Sequence, residues 1–241
     1  MMNNYYAIRA YLLVDVSGSV RDYISRIDAG VRTMIDKLCH EELLTGADIY
    51  LTVLAFDHRQ HEVKVGEKNF RELLINSSFD VNQMEKIKCM DGATDIGKPL
   101  NEIIEMATEQ YQRDKGTDID FYHPIIALFT DGRPDAGLIN GVPASAEDQR
   151  KYDQRFKIAA EFVKTQENMK KLNFIAFYFG ENDECYQKLL SLSNYKSHII
   201  RSDNVDKAER FFSELIVDLI NHTITDTQND IYKEGLPSSL D

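Results

Sequence analysis

Three short segments of this chain bring oxygen donors at spacings that could hold a metal ion: Asp15-Val16-Ser17-Gly18-Ser19, Gly92-Ala93-Thr94-Asp95 and Thr130-Asp131-Gly132. Asp15, Ser17, Ser19, Thr94 and Asp131 together offer two carboxylates and three hydroxyls. Hard oxygens of this kind suit Mg2+, Mn2+ or Ca2+, whereas Zn2+ favours Cys and His. Mg2+ keeps several of its waters and usually takes only one or two protein carboxylates, and this set matches that demand. A single hydroxyl is a poor ligand, but in Asp15-x-Ser17-x-Ser19 alternate side chains share one side of an extended turn. Gly18 lets the backbone bend there. Taken alone, the same Ser/Asp-rich turn reads equally well as a helix cap.

The donors can meet only if the fold delivers all three segments to one place. Short apolar runs at Tyr11–Val14, Ile49–Phe56, Ile125–Phe129 and Phe174–Phe179 read as buried strands, and segments of helical period lie between them. That alternation predicts an α/β fold with a doubly wound, mostly parallel sheet covered on both faces by helices. Ile24, Ile27, Val31, Met34, Ile35 and Leu38 share one helical face, and Ile96, Leu100, Ile103, Ile104, Ala107 and Tyr111 share another. Ala159, Phe162 and Val163 mark a third helix, and Phe211, Phe212, Leu215, Ile216, Leu219 and Ile220 a last one. Weaker strands are expected at Glu62–Val65, as one antiparallel edge, and at Ser197–Arg201. Residues 131–145 hold three Gly and two Pro and read as a long loop leaving a central strand. In such a sheet ligands bind beyond the carboxyl ends of the strands, and all three donor segments open onto that rim.

Length and charge narrow the function further. The 241 residues read as a single domain over 1–222 with a polar C-terminal tail over 223–241. A domain of that size buries roughly 70–75 % of the surface its open chain exposes, so any metal is functional rather than a structural staple. The 28 Lys and Arg against 40 Asp and Glu leave a formal charge of −12, which repels phosphates, so no nucleic-acid partner is expected. No apolar run approaches the ~20 residues of a membrane span, so no membrane partner is expected either. Cys39, Cys89 and Cys185 are an odd count without a Cys-x-x-Cys pair, and Ala10–Val14 is too short for a secretory signal. A cytoplasmic location follows as the expectation.

The donor set, in this order and on these elements, resembles the five-residue metal-ion-dependent adhesion site (MIDAS) of von Willebrand factor type A (VWA) domains. The likeness runs on through Thr52-Val53-Leu54-Ala55-Phe56-Asp57, Gly92-Ala93-Thr94 and Thr130-Asp131-Gly132-Arg133-Pro134, and covers about Ala7 to Asn221. Within that superfamily the chain is most similar to the bacterial TerY type, found in tellurium-resistance and related stress systems. The resemblance implies a Rossmann-like VWA fold in which Ser17, Ser19 and Thr94 ligate the ion directly, with Asp15 and Asp131 bound directly or through water. It implies that a partner's Glu or Asp completes the shell, and that a protein kinase or a PP2C-type phosphatase is among the partners. Val20 stands where Met often follows the motif, and Ala93 where a second Gly is common; neither removes a ligand.

Other residues read more plainly. Asp95 is expected to cap the following helix, Asp91 to be a solvated loop carboxylate, and Asp57 to be a turn residue rather than a further rim acid. His58 and His61 read as surface histidines of a turn, Cys39 as a small hydrophobe, and Phe174, Phe177, Tyr178 and Phe179 as strand core. The expected function is a non-enzymatic, metal-dependent protein-protein interaction module. Two alternatives stay open. A haloacid-dehalogenase-type Mg2+ phosphatase also begins with an Asp after its first strand, but needs a second Asp where Ser17 stands. An extracellular adhesion domain is the other. Dinucleotide, triphosphate and Ser-hydrolase fingerprints are absent from the sequence.

Overall fold

The computed structural model describes residues 5–45, 48–57, 61–69, 84–90, 94–114, 119–132, 138–139, 142–169 and 171–220. Strand β1 (Tyr5–Asp15) lies at the centre of the sheet, between β2 (Asp48–Phe56) and β5 (Ile125–Thr130). The order is β3-β2-β1-β5-β8-β9, where β3 is His61–Asn69, β8 is Asn173–Phe179 and β9 is Ile199–Ser202. A short strand β4 (Ile119–Phe121) pairs with the start of β1. All pairings in this sheet are parallel except β2 with β3, which forms the expected antiparallel edge.

Period-two alternation on the central strands divides the core in two. Leu12, Val14, Val53, Ala55, Ala127, Phe129, Ile175 and Phe177 face one side, where helix α1 (Ile24–Thr45) and the C-terminal helix pack. Tyr11, Leu13, Leu54, Phe56, Ile126, Leu128, Ala176 and Tyr178 face the other, under α2 (Gly97–Asp114), α3 (Ala146–Asn168) and α4 (Asp183–Leu190). Both faces of the parallel strands are therefore dry, which is why their sequences are almost wholly apolar. The aromatic cluster of β8 is core, as expected, with Phe177 stacked on Phe129 at 5.7 Å.

Several boundaries differ from the sequence reading. β1 starts at Tyr5 rather than Tyr11, and can include Arg9 because Asp114 accepts both arms of its guanidinium and the Tyr50 ring lies 4.9 Å beneath it. The stretch read as a loop after Asp131 contains a pair of short antiparallel strands, β6 (Leu138–Ile139) and β7 (Val142–Pro143). Helix α3 begins at Ala146, where Ser145 accepts from Asp148 N at 3.1 Å, well before the apolar face that marked it. Helix α4, not anticipated, starts at the Asn182 cap, which accepts from Cys185 N. The last helix, α5 (Val205–Arg210), continues through a π-helical turn (Phe211–Ile216), which brings the adjacent rings of Phe211 and Phe212 both into the core. Asp57, just past the end of β2, is an enclosed acid at 1 % exposure, and the turn expected after it lies outside the described residues. His58, Asp91, His222 and the tail 223–241 lie outside the described residues, as do the side chains of Cys39 and His61.

Candidate metal centre

The parallel strands place the end of β1 and the end of β5 side by side, with Val14 opposite Phe129. Beyond them β1 leaves through Asp15 into a single 3-10 turn (Gly18–Val20), and β5 leaves through Thr130 into Asp131. The third segment arrives at Thr94, three residues before α2 begins. All five side chains meet there, at the carboxyl rim of the sheet.

Hydrogen bonds link the five into one cluster. Thr94 Oγ1 lies 3.1 Å from Ser17 Oγ and 3.3 Å from Asp15 Oδ2. Ser17 Oγ lies 3.1 Å from Ser19 Oγ, and Ser19 donates to Asp131 Oδ1 at 2.7 Å. Burial is graded across the cluster: Asp15, Ser17 and Thr94 are enclosed, Asp131 is half-buried, and Ser19 is exposed. The open side of the site is therefore the Ser19–Asp131 side. Among the described residues no group of three or more His, Cys, Asp or Glu converges, and the hydroxyls of Ser17, Ser19 and Thr94 complete the oxygen cluster.

Asp15 is held from all sides. Its Oδ1 accepts from Ser17 N at 2.9 Å, and its Oδ2 accepts from Thr130 Oγ1 at 2.6 Å. Burial pushes its carboxyl up despite these hydrogen bonds. Asp131 is pushed up to about 7, first by enclosure and then by the negative charge of Asp15 nearby, against the hydrogen bond from Ser19. Two carboxylates so placed repel each other, and a cation relieves that repulsion where a proton otherwise would. The donor set fits a hard divalent ion: two carboxylates that resist ionising together, bridged by three hydroxyls with lone pairs to offer.

Two supporting residues went unassigned in the sequence. Thr130 was visible only as a neighbour of Asp131, yet its hydroxyl orients Asp15 and accepts from Gly132 N at 3.1 Å. Gly132 lies against Thr94, and a Cβ there would come within 2.7 Å of Thr94 Cβ. The requirement is steric and local to the site. Asp95 caps α2 as expected, accepting from Lys98 N at 3.2 Å, and its other oxygen pairs with Arg155 of α3. Cys89 lies beside the site and donates to the Ser17 carbonyl at 3.4 Å.

No family model matches the sequence, and no curated protein is significantly similar to it. Solved structures are similar in fold. The von Willebrand factor domain of the type V pili tip protein Mfa5 from Porphyromonas gingivalis superposes with a TM-score of 0.58 at 11 % identity, covering 93 % of this chain and 98 % of that one. The D319A mutant of the PilB minor pilin from Streptococcus sanguinis gives 0.59 at 13 %, covering 95 % and 65 %. Proximal thread matrix protein 1 from the mussel byssus, described with a zinc-occupied MIDAS motif, gives 0.56 at 14 %, covering 90 % and 48 %. The chain thus spans about half the length of the mussel protein. At these identities the likeness is one of architecture: this chain has the von Willebrand A fold, an α/β, mostly parallel, Rossmann-like sheet with an antiparallel edge.

Proposed function

We propose that the chain is a protein-interaction module, one domain over 1–222, that binds a divalent cation through Asp15, Ser17, Ser19, Thr94 and Asp131 and presents it to an acidic residue of a partner. The observation that carries this reading is the single hydrogen-bonded cluster formed by oxygens from three distant segments, open to solvent only at Ser19 and Asp131. Thr94 and Ser17 supply lone pairs from the enclosed side, and Asp15 supplies charge from below. Ser19 and Asp131 flank the approach of the partner's Glu or Asp. When bound, the cation supplies the coordination position that a partner carboxylate fills, an interaction strengthened by charge.

In the cell we assign Mg2+ to the site, with Mn2+ and Ca2+ as alternatives on the donor chemistry. One fold neighbour is described with zinc in its MIDAS motif, so Zn2+ belongs in the test. The resemblance supports a cytoplasmic role of TerY type, in tellurium resistance or another bacterial stress response, with a kinase or PP2C-type phosphatase as partner. Phosphatase chemistry in this chain itself fits poorly. Ser17 stands where that chemistry needs a second Asp as general acid, and Asp15 itself is fully enclosed.

The test is capture from native lysate by wild type and Thr94→Ala, each with Mg2+ and with EDTA, alongside direct titration with Mg2+, Mn2+, Ca2+ and Zn2+. Capture and cation binding confined to wild type with metal are expected. Equal capture in all four conditions places the interaction on another surface and overturns the bridging role. A second reading, an extracellular adhesion domain, draws on pilus proteins among the fold neighbours. Fractionating the native cells distinguishes it, since an adhesin is found at the surface.

A further inference from the structure

Residues 84–90, a segment without helix or strand, precede Thr94 in the chain, and residues 91–93 between them lie outside the described residues. The placement of the segment is set by tertiary contacts. On the side of the site, Met90 N donates to the Val16 carbonyl at 2.8 Å and Cys89 to that of Ser17. On the far side the segment is held by α1. Asp28 Oδ1 accepts from Ile87 N at 2.9 Å, and Arg32 Nη2 donates to the Met84 carbonyl at 2.8 Å. Asp28 and Arg32 are themselves an ion pair one helical turn apart, with Nε to Oδ2 at 2.9 Å. Met84 and Ile87 are buried in the core beneath them.

A carboxylate that is 8 % exposed on a helix facing an apolar core has a cost, which its bonds to Arg32 and Ile87 N offset. Neither Asp28 nor Arg32 is a donor of the metal cluster. Both grip the irregular 84–90 segment, whose last residue, Met90, is only four positions ahead of Thr94.

We infer that Asp28, braced by Arg32, is a positioning residue for the metal centre: it fixes the 84–90 segment to α1 and so sets where the Thr94 hydroxyl stands. The inference rests on the metal reading proposed above. It adds that cation affinity is tuned from a helix turn that touches no donor. Loss of an outer support of a metal ligand typically weakens binding about 10- to 100-fold. For Asp28 the lower end applies, because Met90 keeps its bond to Val16.

The test is Mn2+ titration by calorimetry on the full chain. Asp28→Ala is expected to raise the Mn2+ Kd about 10-fold. Asp28→Asn keeps an oxygen for Ile87 N and is expected to stay within about 3-fold of wild type. Val163→Ala, in the core on the opposite face of the sheet, serves as a control that lowers Tm while leaving Kd unchanged. If Asp28→Ala does not fold, Arg32→Ala decides, with a Kd raised in the same direction. A Kd unchanged in Asp28→Ala, or one that follows Tm in Val163→Ala equally, overturns the inference. Thr94→Ala separates the two levels: binding lost there but intact in Asp28→Ala refutes the positioning role alone, and no Mn2+ binding by wild type refutes the metal reading and this inference with it.

Discussion

Gly132→Ala tests whether the cluster's geometry, rather than its composition, binds the cation. A Cβ at position 132 would stand 2.7 Å from Thr94 Cβ and closer still to Thr94 Oγ1, where ordinary contact begins at 3.4 Å. Thr94, the main obstacle, must retreat by at least about 0.7 Å, the difference between those distances. Metal-ligand distances tolerate only about ±0.2 Å, so the hydroxyl leaves the ligand position. The five donor residues themselves are unchanged in the variant. Cation affinity is expected to fall at least about 10-fold, and overpacking to cost about 1–3 kcal/mol of stability. Calorimetric titration with Mn2+ measures the first and urea unfolding of the metal-free protein the second. Gly30→Ala is the comparison, because the atoms nearest its Cβ would be the Phe212 ring edge and the Glu209 backbone at 3.1–3.5 Å, none of them part of the cluster. A Gly132→Ala protein that binds Mn2+ as tightly as wild type refutes the claim that Thr94 is fixed against Gly132.

Further outcomes follow from the same geometry. Because Asp131 is pushed up to about 7 and Asp15 is pushed up as well, protons compete with the cation, and Mn2+ affinity is expected to rise from pH 6 to pH 8; a flat profile argues against these carboxylates as ligands. The same shift makes the metal-free fold bind more protons than the open chain, so its stability falls as pH rises from about 4 to about 7. Unfolding curves across that window, with and without Mn2+, check the sign, since the cation should flatten the loss. Thr130→Val removes the donor to Asp15 Oδ2 at nearly constant volume and is expected to cost about 1–3 kcal/mol by urea unfolding, with weaker Mn2+ binding. Asp95→Ala removes the α2 cap and the Arg155 pairing and is expected to cost about 1–2 kcal/mol, whereas Asp95→Asn, which keeps an oxygen for Lys98 N, should recover most of it.

The local pattern of the chain was enough to place the strands that matter. β2, β5 and β8 are buried on both faces, so their apolar runs stand out, and the helices over them repeat at three and four. The rim cluster was legible for the same reason: Asp15 directly follows one apolar run, Asp131 stands one residue beyond another, and parallel strands must discharge their carboxyl ends onto one rim. Elements with weak or mixed periodicity were harder to read. The charged start of β1 and the capped helix α4 owe their form to partners such as Asp114, or to a cap residue that is common in loops too.

What only the tertiary structure decided is how the donors are held. Nothing in sequence spacing says that Thr130 turns its hydroxyl toward Asp15, that Gly132 leaves room for Thr94, or that Asp57 is enclosed. Nor does spacing show that Asp28 and Arg32 grip a segment more than fifty residues downstream. The residue types at the site follow from the chemistry of hard oxygen donors and can be read from the chain. Their positions, and the shared proton affinity of Asp15 and Asp131, arise from contacts between segments far apart in sequence and from the low polarity of the enclosed rim, which exist only once the sheet has formed.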